Sequence, residues 1–71
     1  MKVADILRKV RIEKKYTQED IAEVLETTQQ QYSRYELGIY EIPVRHVITL
    51  CRFYGVSADY LLGLKDQEEA L

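Results

Sequence analysis

Apolar positions along the chain recur at helical spacing. Val3, Ile6, Leu7 and Val10 share one side of a first segment, with Lys2, Arg8, Lys9 and Lys14 on the remainder, which predicts a helix over 2–14. Thr17 reads as an N-cap with Glu19 and Asp20 in the first turn, where acidic groups suit the helix dipole. A second helix is therefore predicted over 18–25, burying Ile21, Ala22, Val24 and Leu25. Only Glu26 and Thr27 separate it from the next start signal: Thr28, followed three residues later by Gln31, reads as a capping box. It opens a third helix over 28–37, which Gly38 ends as a left-handed C′ residue. A loop over 39–42 leads to Pro43, which suits the first turn of a fourth helix. There Val44, Val47, Ile48, Cys51 and Tyr54 recur with Leu50 beside them, and Gly55 is the stop. Ser57 caps a last short helix over 58–62, with Asp59 near its positive end and Gly63 as its stop. No strand alternation, internal repeat or linker interrupts this order. The expectation is an all-α domain over 1–64, five helices around one core, followed by a short acidic tail over 65–71 that frays.

The third helix divides into two unlike stripes. Thr28, Tyr32, Tyr35 and Glu36 fall on one face and bring two large aromatics to bury. Gln29, Gln30, Ser33 and Arg34 fall on the other, a close-set row of amide, hydroxyl and guanidinium groups with no apolar member. These are the groups that reach base edges in a DNA major groove: glutamine pairs bidentately with adenine, and a good pair discriminates by ~1–3 kcal/mol. Arg34, one turn on from Gln30, suits guanine or a phosphate, and Ser33 could reach either a phosphate or a base. Gln31 is divided between closing the capping box and touching the DNA backbone. The bland reading of the row is a solvated polar face. Two helices joined by so short a turn have the helix-turn-helix arrangement, in which the second helix enters the groove.

Composition constrains this picture without overturning it. Seventy-one residues, 46% hydrophobic and 31% charged, describe one small globular domain with a thin stability margin. The net charge is −2, against the basic balance common in nucleic-acid-binding domains. Residues 1–38 carry seven Lys/Arg and seven Asp/Glu, net zero, so the deficit lies in residues 39–71, which carry three and five. Cys51 is the single cysteine, on an apolar stripe, and is expected as a small buried hydrophobe; no internal disulfide can form. His46 is the one histidine, placed near the exposed start of the fourth helix, with no partner at ligand spacing, so neither a metal nor another cofactor is expected, and catalysis is not. The apolar runs are too short to span a membrane, the N-terminal stretch lacks a signal-peptide core and a lone cysteine forms no internal disulfide, which points to a cytoplasmic protein.

The order of signals resembles the phage repressor and Cro-like helix-turn-helix domains, the XRE type. The matching residues run from Leu7 and Arg11 through Thr17-Gln18-Glu19-Asp20-Ile21-Ala22, Tyr32-Ser33-Arg34-Tyr35-Glu36-Leu37-Gly38 and Pro43 to Phe53-Tyr54-Gly55-Val56-Ser57-Ala58-Asp59-Tyr60-Leu61-Leu62. The resemblance implies a compact five-helix, lambda-repressor-like DNA-binding domain that acts as a transcriptional regulator, expected to be a repressor. It implies that Gln18 bonds a phosphate and braces the recognition helix, and that Arg11 and Glu36 form a structural pair tying the first helix to the end of the third. Base contacts then fall to Gln29, Gln30, Ser33 and Arg34, and backbone contacts to Gln18, Thr28, Gln31, Tyr40 and Arg45, with Lys9 and Lys14 as weaker candidates. A homodimer on a two-fold symmetric operator is implied, with Phe53, Val56, Tyr60 and Leu64 as candidate dimer surface. The chain departs from the pattern at Lys15 and Glu26, where relatives often have glycine, and at Leu37, where some have a phosphate-binding asparagine. The competing function is an antitoxin or another protein-interaction module, which an exposed apolar patch at Tyr54, Tyr60 and Leu64 would favour.

Overall fold

In the computed structural model, which describes residues 2–68, 70 and 71, five helices follow in order: α1 (Val3–Glu13), α2 (Gln18–Val24), α3 (Gln29–Glu36), α4 (Val44–Tyr54) and α5 (Ala58–Leu61). Met1 and Glu69, which the expected domain and tail include, lie outside the described residues. Side-chain caps fix three of the starts. Thr17 Oγ1 accepts from the Asp20 amide at 3.1 Å while Asp20 Oδ2 accepts from the Thr17 amide at 2.8 Å, a full capping box. Ser57 caps α5 through the Tyr60 amide at 3.2 Å. Thr28 caps α3 through the Gln31 amide at 3.1 Å, but the box expected there is half made. The Gln31 side chain instead donates to the Tyr35 hydroxyl at 3.3 Å, one turn further on. Pro43 is the N-cap of α4, with extended backbone at ψ 150°, and not its first helical residue.

Four of the helix ends close in the same way. The amide after the left-handed residue reaches back to the third-last helical carbonyl: Tyr16 to Arg11 at 3.0 Å, Thr27 to Ala22 at 2.9 Å, Ile39 to Arg34 at 3.0 Å and Leu64 to Asp59 at 2.7 Å. The left-handed residues are Lys15 (φ 66°), Glu26 (φ 56°), Gly38 (φ 74°) and Gly63 (φ 82°). The family's frequent glycine positions thus keep their backbone shape here while carrying side chains at Lys15 and Glu26. The closure at Glu26 holds the turn between α2 and α3 to residues 25–28.

The core draws on every helix: Ile6, Leu7 and Val10 from α1; Ile21 and Ala22 from α2, with Leu25 following; Tyr32 and Tyr35 from α3; Val47, Leu50, Cys51 and Tyr54 from α4; Tyr60 and Leu61 from α5, with Val56 before it. The buried stripe of α4 is rotated from the expected one. Val44 and Ile48 stand out in solvent at 74% and 48% exposure, whereas His46, expected at the surface, is buried. Val24 is only half-buried. The tail does not run free as expected: Ala70 makes an antiparallel bridge to Val56, the Leu71 amide donates to the Gly55 carbonyl at 3.2 Å, and Lys14 pairs with Glu68 at 3.5 Å. No described helix is long and apolar enough to cross a membrane.

Candidate nucleic-acid interface

Burial of Tyr32 and Tyr35 fixes the rotation of α3 about its axis. With that face held in the core, Gln29, Gln30, Ser33 and Arg34 are turned to one side and line a single shallow groove of about 350 Å³. Two side chains that the sequence reading did not place there, Leu37 and Ile39, complete the lining. Both are more than half exposed. Leu37 sits four residues beyond Ser33, and that spacing was the available signal; Ile39 follows only from the closure at Gly38.

Beneath the groove lies a polar brace. Arg11 Nε donates to Glu36 Oε2 at 2.7 Å and Arg11 Nη2 to Glu36 Oε1 at 3.0 Å, joining α1 to the last residue of α3. A third bond from Arg11 Nη1 holds the Tyr16 carbonyl at 2.9 Å. Gln18 Nε2 also donates to Glu36 Oε1, at 3.1 Å, while Gln18 Oε1 accepts from Gln29 Nε2 at 3.4 Å. Gln29 is therefore linked through Gln18 to the ion pair. Burial opposes the charge on Glu36, but bonds from Arg11 above all hold its carboxyl below the ordinary range. Glu36 in turn keeps Arg11 charged, through their hydrogen bond and against the penalty of burial. Burial, with Glu36 close by, pushes the Tyr32 hydroxyl far above its usual range, and the same causes raise Tyr54. Neither hydroxyl meets an acceptor at hydrogen-bond geometry.

The expected backbone contacts are scattered around the groove. Thr28 is exposed at the start of α3. Arg45, exposed at the start of α4, shares a polar cleft with Glu26, Thr27, Gln31, His46 and Thr49. Tyr40 is exposed in the loop after α3, with the Arg34 guanidinium carbon 5.8 Å from its ring centre. Lys9 and Lys14 have partners elsewhere: Lys9 reaches the Tyr60 hydroxyl at 3.4 Å and Lys14 reaches Glu68.

Of the four residues expected on a dimer surface, Val56 and Tyr60 are in the core, because a single-turn helix needs both to stay attached. Leu64 is 73% exposed, and Phe53 is partly exposed with its ring 5.1 Å from that of Tyr16. Burial of Tyr54 and Tyr60 leaves Leu64 alone from the apolar patch that a protein-interaction module would present. Burial, with Arg45 next in sequence, lowers the pKa of His46, and burial raises that of the Cys51 thiol. Among the described residues no group of His, Cys, Asp or Glu could hold a metal ion.

Residues 7–61 match the family model described as helix-turn-helix. The chain is also similar to HTH-type transcriptional regulators of Bacillus subtilis, each named as uncharacterized. It is 36% identical to YobD and 38% to YqaE, over 63 residues each, covering 89% of this chain and 56% and 54% of those proteins. It is 39% identical over 56 residues to the SPbeta prophage-derived regulator YonR, covering 79% of this chain and 52% of that one. The chain thus spans about half the length of the curated relatives it matches. No solved structure matches it at a comparable level.

Proposed function

Because the chain belongs to the helix-turn-helix family of the XRE type, we propose that it is a sequence-specific double-stranded DNA-binding transcriptional regulator, acting as a repressor. The observation that carries this reading is the exposed groove on α3, in which Gln29, Gln30, Ser33 and Arg34 stand together on a helix braced from below by Gln18, Glu36 and Arg11. Side chains free to reorient would pay an entropic cost on meeting base edges; a braced helix with one tethered amide has met part of that cost in folding. Gln18, Thr28 and Arg45 are suited to the flanking phosphates, where amide, hydroxyl and guanidinium donors set register without reading sequence.

A two-fold operator follows if the protein binds as a homodimer, with α3 and its copy about 34 Å apart in successive major grooves. Phe53 and Leu64 remain as the surface for that contact. The work would be done in the cytoplasm, on bacterial or phage DNA. Selection from a random pool of duplexes, followed by the same selection with Gln29→Ala and Gln30→Ala, tests the reading. The preferred sequence should change at the base pairs that these residues face. An unchanged preference in both variants would remove them as readers.

A further inference from the structure

Two residues first assigned to the DNA backbone, Gln31 and Tyr40, are both turned toward Arg34 in the structure. Arg34 Nη1 donates to Gln31 Oε1 at 3.4 Å. The Gln31 amide is not free to choose its orientation, because its Nε2 donates to the hydroxyl of Tyr35, whose ring is buried. Its carbonyl oxygen is thereby left facing outward to the guanidinium. On the other side lies the Tyr40 ring, 5.8 Å from the Arg34 guanidinium carbon and within cation–π range. That ring is placed by Arg34's own backbone: the Arg34 carbonyl accepts from Ile39 at 3.0 Å and from Tyr40 at 3.4 Å as the helix closes at Gly38.

Resting on the DNA-binding reading above, we propose that Gln31 and Tyr40 are positioning residues that hold Arg34 as a preorganised reader of guanine. A guanidinium has five N–H donors, and Gln31 engages only Nη1. The edge formed by Nε and Nη2 is left for a ligand in the groove that Arg34 shares with Gln29, Gln30 and Ser33. A phosphate accepts from many directions and places little demand on the approach. The O6/N7 edge of guanine is a two-point planar acceptor, and a guanidinium held on two sides loses less freedom in meeting it. Tyr40 thus contributes to sequence preference without touching a base.

The test measures affinity for the selected duplex and for a panel with each base pair changed singly, in the native protein and in Arg34→Ala, Tyr40→Phe, Tyr40→Ala and Gln31→Ala, with melting curves to show that each is folded. Arg34→Ala should lose a preference of about tenfold at one G·C pair. Tyr40→Ala and Gln31→Ala should weaken the preference at that same pair severalfold, leave the other positions alone and keep the salt slope. Tyr40→Phe should behave as native, since it keeps the ring. Tyr40→Ala on the Arg34→Ala background should add nothing at that pair. A DNA-side probe needs no variant: 7-deazaguanine at the preferred guanine removes N7 and should weaken the native protein but not Arg34→Ala.

Other results overturn the proposal. If Tyr40→Phe weakens every site alike, Tyr40 is a backbone contact through its hydroxyl, a neutral one that leaves the salt slope unchanged. If Tyr40→Ala and Gln31→Ala leave the guanine preference intact, they do not position Arg34. If 7-deazaguanine has no effect at any guanine of the site, Arg34 does not read one. Failure to select any site removes the DNA-binding reading itself, which a selectable site with an indifferent Arg34 does not.

Discussion

Arg11 and Glu36, twenty-five residues apart, meet through two parallel N–H···O bonds at 2.7 and 3.0 Å, with the carboxylate side chain only 2% exposed. This pair fixes the end of α3 relative to α1 and supports the groove above it. Removing one partner strands the other charge. Arg11→Ala is expected to cost about 3–5 kcal/mol by chemical denaturation, a large share of what a domain this small holds in reserve. Arg11→Lys should recover only part of the loss, because an ammonium cannot reproduce the fork. Arg11→Met combined with Glu36→Leu should be far less damaging than either single change, since no unpaired charge then remains.

Acid should weaken the fold in two stages. His46 is held below its ordinary 6.5 by burial and by Arg45, with Glu26 the other charged group lining the same cleft. The folded state therefore favours neutral His46. Its contribution is full above the unfolded value and declines as the pH falls below about 6.5 toward the depressed folded value. Glu36 is also held below its ordinary 4.5, so its contribution is present above that value and is lost as the pH falls through the lower folded one. Urea midpoints from pH 8 to 3 should show both declines, and His46→Gln should abolish the first while leaving the second.

Lys15 and Glu26 adopt left-handed backbone at φ 66° and 56°, where a side chain is strained by ~1–2 kcal/mol. Lys15→Gly and Glu26→Gly should each stabilise the fold, by less than that strain because glycine also loosens the unfolded chain: about 0.5–1 kcal/mol, or several degrees in melting temperature. Gly38→Ala should do the opposite. The nearest atom to a new Cβ is that of Ala4 at 3.7 Å, an ordinary contact, so its cost would be backbone strain alone.

The helix framework was legible because the start and stop residues act locally. Thr17, Thr28 and Ser57 cap through an amide three residues away, and Gly38 and Gly55 supply left-handed turns, so each signal is complete within one turn of chain. The rotation of α4 was not legible. The expected stripe Val44-Val47-Ile48-Cys51-Tyr54, with Leu50 beside it, and the observed His46-Val47-Leu50-Cys51-Tyr54 overlap on one helix and differ only in Val44 and Ile48 against His46, and the choice between them depends on packing against other elements. Hydropathy favoured Ile48 over His46. The ring of Tyr35, 6.0 Å from that of His46, is part of the environment that decided otherwise. The polar row of α3 was visible as a stripe, but the tethering of Gln31 to Tyr35 was hidden behind an equally good capping-box signal.

The most direct measurement is affinity for a selected duplex against a scrambled one from 50 to 200 mM salt. Selection should yield a two-fold symmetric site, and the scrambled duplex should bind more weakly throughout. Arg45 is the one cationic side chain assigned to phosphate, so a dimer should show a log–log salt slope of about −2, shallow for a DNA-binding protein and in keeping with a net charge of −2. No selectable site at the lowest salt, or equal affinity for both duplexes at every salt, would contradict a sequence-reading role for α3.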